Sequence, residues 1–508
     1  MYPTALLLSL LPSMVAGAPH HRHGAEADGK GQQQQDSMSC MQQDHQPNPK
    51  VGKAIYFLTN EADNAVVALP IGADGMLSTG KMAKTGGAGS VAVGEDGKPA
   101  APDALVGQSA LTVVGNSLFA VNAGSNTLTM MAISADDATT LSCKGKPVAV
   151  PGEFPNTVAA SAANKLACVG TTGALAGISC ASFSEDKGLG QMDDLRAFDL
   201  GQSTPPVGPL NTVSQTFFSA DESVLFTTVK GDPAVNNTGF LSVFPVQDAQ
   251  GDAALSMQDV RSSPDGTAVL FGSAIMPDDP SSLFVTDASF GAAVLTVDST
   301  GQATVKGSAA IDGQLATCWA TISDSTKSAY VTDVGVNRVV EMSLDDASII
   351  KELDLSANGD PGLIDLRAAG DYIYALSPGN GTTNAAITVL DVSGGKGSMK
   401  QVQHFDLGSM GVGKNAQGSS NDFSHYDTQS DVVCVQLIIA SSVGLQKGDS
   451  CTVQGMDAVK KCPTFIAANE AEPIEFPDGP VPTVLSLLLI LQEASKATKL
   501  PTAPLYAS

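Results

Sequence analysis

A strand motif that recurs seven times constrains this chain more than any other feature. Each copy opens on an apolar or aromatic residue, runs to a small or polar residue near a turn, and resumes as a second alternating strand. The copies begin at Tyr56 (YFLTNEADNAVVALPI), Leu118 (LFAVNAGSNTLTMMAI), Leu166 (LACVGTTGALAGISCASF) and Leu225 (LFTTVKGDPAVNNTGFLSVFPV). They continue at Leu283 (LFVTDASFGAAVLTVD), Ala329 (AYVTDVGVNRVVEMSL) and Ile373 (IYALSPGNGTTNAAITVLDV). Their second residues, from Phe57 to Tyr374, are spaced 44–62 residues apart. Several copies follow a shorter strand and a tight turn (TVAASAAN, TFFSADES, VRSSPDGT, ATISDSTK), in which Ser-x-Asp and Asp-Gly supply hairpin chemistry. A unit of this length holds four short strands. One such sheet cannot bury both of its faces, but seven around an axis can. The expected fold is all-β, a seven-bladed β-propeller over 51–418.

The flanks differ from the repeats. Residues 1–18 (MYPTALLLSLLPSMVAGA) join an apolar run to a small-residue Ala-Gly-Ala end, the pattern of a secretory signal peptide, although no Lys or Arg precedes the run. Residues 19–50 are polar and low in complexity, and a flexible, disordered arm is expected. Residues 419–508 lack the repeat and read as a mostly irregular, poorly ordered C-terminal extension. The longest apolar run there, VLSLLLIL, is far short of a bilayer span, so no membrane span is expected.

Charge narrows the partners. With 27 Lys+Arg against 52 Asp+Glu the net charge is −25, which excludes a basic nucleic-acid footprint. Sequons at Asn236 and Asn380 fall in Gly/Pro-rich loops and are candidate glycosylation sites. Of eight cysteines, Cys168 and Cys180 flank a Gly-rich turn between adjacent strands and are the expected disulfide, while Cys318 in an apolar strand reads as a buried thiol. No Cys-x-x-Cys, His-Glu-x-x-His or Gly-x-Ser-x-Gly occurs, and neither a metal nor a cofactor is expected. Secretion, with location outside the cell or in a cell wall, and a monomeric state complete these expectations.

The segments LFAVNAGSNTLTMMAI, GEFPNTVAASAANKLACVGTTGALAGISCASF and KNAQG (414–418) resemble the seven-bladed lactonase-type propellers, the group of 3-carboxymuconate lactonising enzyme and 6-phosphogluconolactonase. The resemblance covers most of 51–418. It is nearest to fungal secreted 3-carboxymuconate cyclase-like cell-wall glycoproteins. It implies a ligand site at the axial channel, with a histidine after proline at the start of an inner strand. Here that position is Asn156, in Phe154-Pro155-Asn156-Thr157-Val158. An amide does not titrate near neutral pH and cannot serve as general base. Residues 51–400 contain no histidine at all.

The turns place the inner-strand starts at Gln108-Ser109, Asn156-Thr157, Ser214-Gln215, Gln258-Asp259, Cys318-Trp319 and Ile364-Asp365. Two of them share Asp-x-Arg: Asp259 with Arg261, and Asp365 with Arg367. Residues i and i+2 of a strand share a face, so each pair can meet. Such a pair is either an ion pair that locks the blade, or an arginine that holds a carboxylate beside an Asp that moves a proton. Asp259 and Asp365 are therefore the candidate catalytic residues. Gln108, Asn156, Gln215, Arg261, Trp319 and Arg367 are the candidate ligand contacts, with a small carboxylate, a lactone or an extracellular polymer as partner. The favoured expectation is a propeller without histidine-based catalysis; a lactonase or muconate-type cycloisomerase is the alternative.

Overall fold

The computed structural model describes residues 51–421 apart from 250, 251 and 278. The expected signal peptide, the arm and the extension beyond 421 lie outside the described residues.

Seven antiparallel sheets form the blades. The inner strands of blades 2 to 7 are Leu111–Val114, Pro155–Ser161, Val213–Phe218, Leu270–Ile275, Thr317–Ser323 and Ile364–Ala369. Blade 1 takes its inner strand from the far end of the described chain, Gln417–Asn421, which pairs with Ala54–Leu58. Each inner strand touches the next, and the strand of blade 1 touches those of blades 2 and 7, so the ring closes.

All seven repeat copies begin within the second strands of the blades, from Ala54–Leu58 to Tyr372–Ser377. These strands are almost entirely buried, because each sheet packs a neighbour on both faces. Burial on both faces explains why they read as near-continuous apolar runs. Outer strands such as Lys81–Lys84 and Ala303–Ala310 face solvent on one side and carry lysines. Those lysines also discourage edge-to-edge pairing. Cys168 and Cys180 are cross-strand partners in blade 3, with Cα atoms 4.0 Å apart, and their disulfide is formed. Cys318 is a buried free thiol and Cys143 an exposed one.

Two expectations are corrected. The closing strand runs to Asn421, three residues past the expected boundary, although its Gln-Gly-Ser-Ser-Asn sequence is polar. Its edge faces a polar hub, where Ser419 N–H donates to Asp365 Oδ2 (2.9 Å) and Asn421 Nδ2 to Ala368 O (2.7 Å). The second correction concerns blade 5. Asp259 and Arg261 do not open its inner strand: Val260–Ser262 pairs with the third strand of blade 4, and the inner strand begins only at Leu270. The Asp-Gly at 265–266 turns a loop between blades, chemistry that serves a hairpin equally well.

Candidate functional site

The axial hub is filled by the chain itself. Ahead of the inner strand of blade 2, Asp103–Ser109 crosses towards the axis, with Val106 and Ser109 in the left-handed region (φ 49° and 64°). The Val106 turn is held by its N–H donating to Asp103 Oδ1 (2.9 Å). At the tip, the Gln108 side chain spans the axis to blade 6. Its Nε2 donates to Ala320 O (2.8 Å), and its Oε1 accepts from Ala320 N–H (3.2 Å). Two glycines make the passage possible. A Cβ on Gly272 would lie 2.2 Å from Gln108 Oε1, and one on Gly107 would lie 2.6 Å from Asn156 Nδ2.

Around this plug most of the polar ring is spent on internal bonds. Gln215 donates from Nε2 to Ser109 Oγ (3.2 Å) and accepts at Oε1 from Ser273 N–H (2.6 Å). Asn156, where the resemblance implies a histidine, donates from Nδ2 to Val213 O (2.7 Å) and Leu105 O (3.3 Å), while its buried Oδ1 has no partner. Asp365, itself left-handed at φ 50°, accepts from Leu366 N–H and Ser419 N–H. Burial, opposed by Arg367, raises its carboxyl above the usual range. Arg367 Nη1 lies 3.7 Å from Asp365; its Nε donates to Ser419 O and its Nη2 to Ser109 Oγ, both at 2.8 Å. Trp319 is buried edge-on against Phe271, centroids 5.0 Å apart.

Sequence reasoning missed Lys230. Blades 2, 5 and 6 end their second strands on Asn122, Asp287 and Asp333, whereas the second strand of blade 4 ends on Val229 with Lys230 immediately after. The break in the repeat was the available signal. Lys230 is 1% exposed, donates to Val106 O (2.7 Å) and Ser214 Oγ (3.0 Å), and lies over the Phe271 ring at 4.3 Å. Burial lowers its pKa, and the charge of Asp103 opposes that effect. Burial also drives the Cys318 thiol well above its ordinary value.

The structure therefore brings Gln108, Asn156, Gln215, Trp319, Asp365 and Arg367 to the hub and leaves Asp259 and Arg261 outside it. On blade 4, Asp259 Oδ2 accepts from Ser242 Oγ (2.6 Å) and Arg261 Nε (2.7 Å). The Arg261 guanidinium packs over Phe198 and Phe240. Both Asp-x-Arg pairs do meet, as the strand periodicity requires. His404, the histidine within the described residues, lies on the outer strand of blade 7, with Nε2 3.0 Å from Asp360 Oδ1. Asn236 and Asn380 are exposed in loops. Among the described residues no cluster of ligating side chains could hold a metal, and no helix is long and apolar enough to cross a membrane.

Comparison with solved structures agrees with this architecture. The periplasmic gluconolactonase of Pseudomonas aeruginosa aligns over 72% of this chain and 99% of its own, at 14% identity and a TM-score of 0.54. The chain has the fold of a seven-bladed lactonase-type propeller. A putative 6-phosphogluconolactonase of Bacteroides uniformis aligns over 56% of this chain and 80% of its own, at 17% identity and a TM-score of 0.41. At such identities the likeness is one of fold. No protein-family model and no curated protein matches the chain.

Proposed function

We propose that this chain is a secreted propeller of the fungal cell-surface type whose hub is structural, without the histidine-based lactone chemistry that the family resemblance implies. The observation that carries the reading is Gln108, whose amide occupies the axis and is bonded on both sides of its head group to Ala320. A substrate at the hub would have to displace these bonds and those of Gln215 and Arg367, leaving buried polar groups unpaired at about 1–3 kcal/mol each. Asn156 offers no titratable group, and Asp365 is held by two backbone N–H groups and Arg367. The signal-like segment at 1–18 and the sequons at Asn236 and Asn380 support an extracellular setting.

The deciding experiment incubates purified protein with 3-carboxymuconate, gluconolactone and 6-phosphogluconolactone. No turnover above the spontaneous rate is expected. Turnover that disappears in Asp365→Asn would establish a lactonase or cycloisomerase and overturn the reading. A fractionation experiment tests the setting: the chain is expected in the medium or wall fraction, with a mass that falls on deglycosylation and in Asn236→Gln and Asn380→Gln.

A further inference from the structure

We propose that a groove between blades 1 and 2 binds a short acidic oligosaccharide of the uronate type. The groove is an open depression of about 560 Å³ that runs between the outer strand of blade 1 (Lys81–Lys84) and the segment that follows Leu141–Cys143 of blade 2. That volume is ordinary for a small-molecule site. Cys143 Sγ donates to Lys84 O at 3.3 Å and so holds the two walls together. One end is narrowed where Gly86 (φ 79°) approaches the Pro147 ring, 3.4 Å from where a Cβ would stand.

The floor is a hydrogen-bonded set of amides and hydroxyls. Thr85 Oγ1 donates to Asn122 Oδ1 (2.6 Å), and Asn122 Nδ2 donates to Thr127 Oγ1 (3.1 Å) and Thr129 Oγ1 (3.0 Å). Ser125 and Thr127 hydroxyls bond each other at 3.0 Å and line the groove. Asn122 and Thr129 are buried, whereas Ser125 is exposed and Thr127 partly so. The buried members fix the rotamers of those above, so hydroxyls stand at the surface with little rotational freedom left to lose. A preorganised row of hydroxyls is suited to exchanging hydrogen bonds with the hydroxyls of a sugar.

The rim supplies charge. Lys84 and Lys146 both line the groove. Lys146 has no ion-pair partner among the described residues, and Lys84 pairs with Asp63, both side chains being mostly exposed. An exposed pair is worth little and yields to a second carboxylate. Counting Asp63, the rim carries one net positive charge, that of Lys146, in a chain of net charge −25. Screening confines its reach to about 8 Å at physiological ionic strength. The acidic remainder of the molecule repels long, densely charged polymers such as nucleic acid. A short uronate chain presents isolated carboxylates at the rim and hydroxyls to the floor.

The test is calorimetric titration of the full chain with a galacturonate oligosaccharide and with a neutral glucose oligosaccharide of equal length, at 20 and 500 mM salt. Variants are Lys84→Gln, Lys146→Gln, the double variant, and Lys306→Gln, which removes an exposed lysine from blade 5. Binding of the uronate alone is expected, weakened about fivefold by each groove variant, abolished in the double variant and at high salt, and unchanged in Lys306→Gln. The groove lysines are exposed, so the melting temperature of each variant should match the parent. Absence of uronate binding, equal binding of the neutral sugar, or equal weakening by Lys306→Gln would each overturn the proposal.

Discussion

The hub and the groove between blades 1 and 2 are built from the same residue types, yet they end in opposite states. At the hub, Gln108, Asn156, Gln215, Asp365 and Lys230 are almost fully buried, and all but one of their hydrogen-bonding ends named above, the Asn156 Oδ1, bond backbone and side chains of the chain itself. In the groove, Asn122, Thr85 and Thr129 are buried in the same way, but Ser125 is exposed and Thr127 partly so: Ser125 Oγ accepts from Ala88 N–H and Thr127 Oγ1 from Asn122 Nδ2, and the hydroxyl pair keeps part of its hydrogen-bonding capacity facing outward. Polar composition therefore does not mark a binding site. What matters is whether the last layer of donors and acceptors is used by the chain or left to solvent, since a buried group already paired gains nothing from a ligand.

This contrast can be broken most severely at the closing strand. A chain ended after Ala416 loses the inner strand of blade 1 and the bonds Ser419 makes to Asp365 and Arg367. It is expected to lose cooperative thermal unfolding by circular dichroism, whereas a chain ended after Asn421 should keep it. Equal melting of the two would show that the ring closes without this strand. Next in size is Lys230→Met, which leaves Val106 O and Ser214 Oγ without their donor and Asp103 without its nearby cation. A loss of about 2–4 kcal/mol in denaturant titration is expected, and a change within error would remove Lys230 as the anchor of the plug.

Gln108→Ala is a milder probe of the same region. It frees both backbone groups of Ala320 that the amide satisfies, and water entering the vacated space can re-pair them, so the total cost is about 1–3 kcal/mol. Trp319, the only tryptophan in the chain, is the residue before Ala320, so its fluorescence reads water entering the hub. Stronger acrylamide quenching is expected in the variant, and unchanged quenching would mean that Gln108 does not seal the axis.

Smaller still is the pH effect of His404. Its hydrogen bond to Asp360 raises its pKa above the ordinary 6.5, against the opposing influence of burial. The raised folded value means the contribution is fully present below pH 6.5 and is lost as pH rises through the folded pKa. The ring is 28% exposed and Asp360 is buried, so about 1 kcal/mol or less is expected. His404→Gln should flatten the stability profile from pH 6 upward; an unchanged slope would assign that dependence to other groups. At the groove, Lys84→Gln should alter stability by less than about 0.5 kcal/mol, because an exposed pair contributes little. A larger loss would make the rim structural, like the hub.

Much of the fold was legible because each blade repeats one physical requirement. Phe57, Phe119, Phe226, Phe284, Tyr330 and Tyr374 fall at the same place in strands buried on both faces, and the apolar run shows it without reference to any partner. The Cys168–Cys180 pairing was legible for a similar reason, since a Gly-rich turn sets two adjacent strands in register. The site was less legible. Val260–Ser262 carries the alternation and turn chemistry of an inner strand but completes blade 4, because local pattern does not record which neighbour a strand chooses. Lys230 went unnoticed, since nothing adjacent in sequence reveals that its amine meets Val106.

The amino-acid sequence by itself determined the number of blades, the position of their second strands and the lack of an imidazole across 51–400, because each follows from residues close together in the chain. Only the tertiary structure decided what fills the axis. Gln108 and Ala320 are 212 residues apart, and closure of the ring brings them within hydrogen-bond reach. A bond of that kind depends on how seven sheets tilt and pack, a sum of many small contacts that no short stretch of sequence encodes.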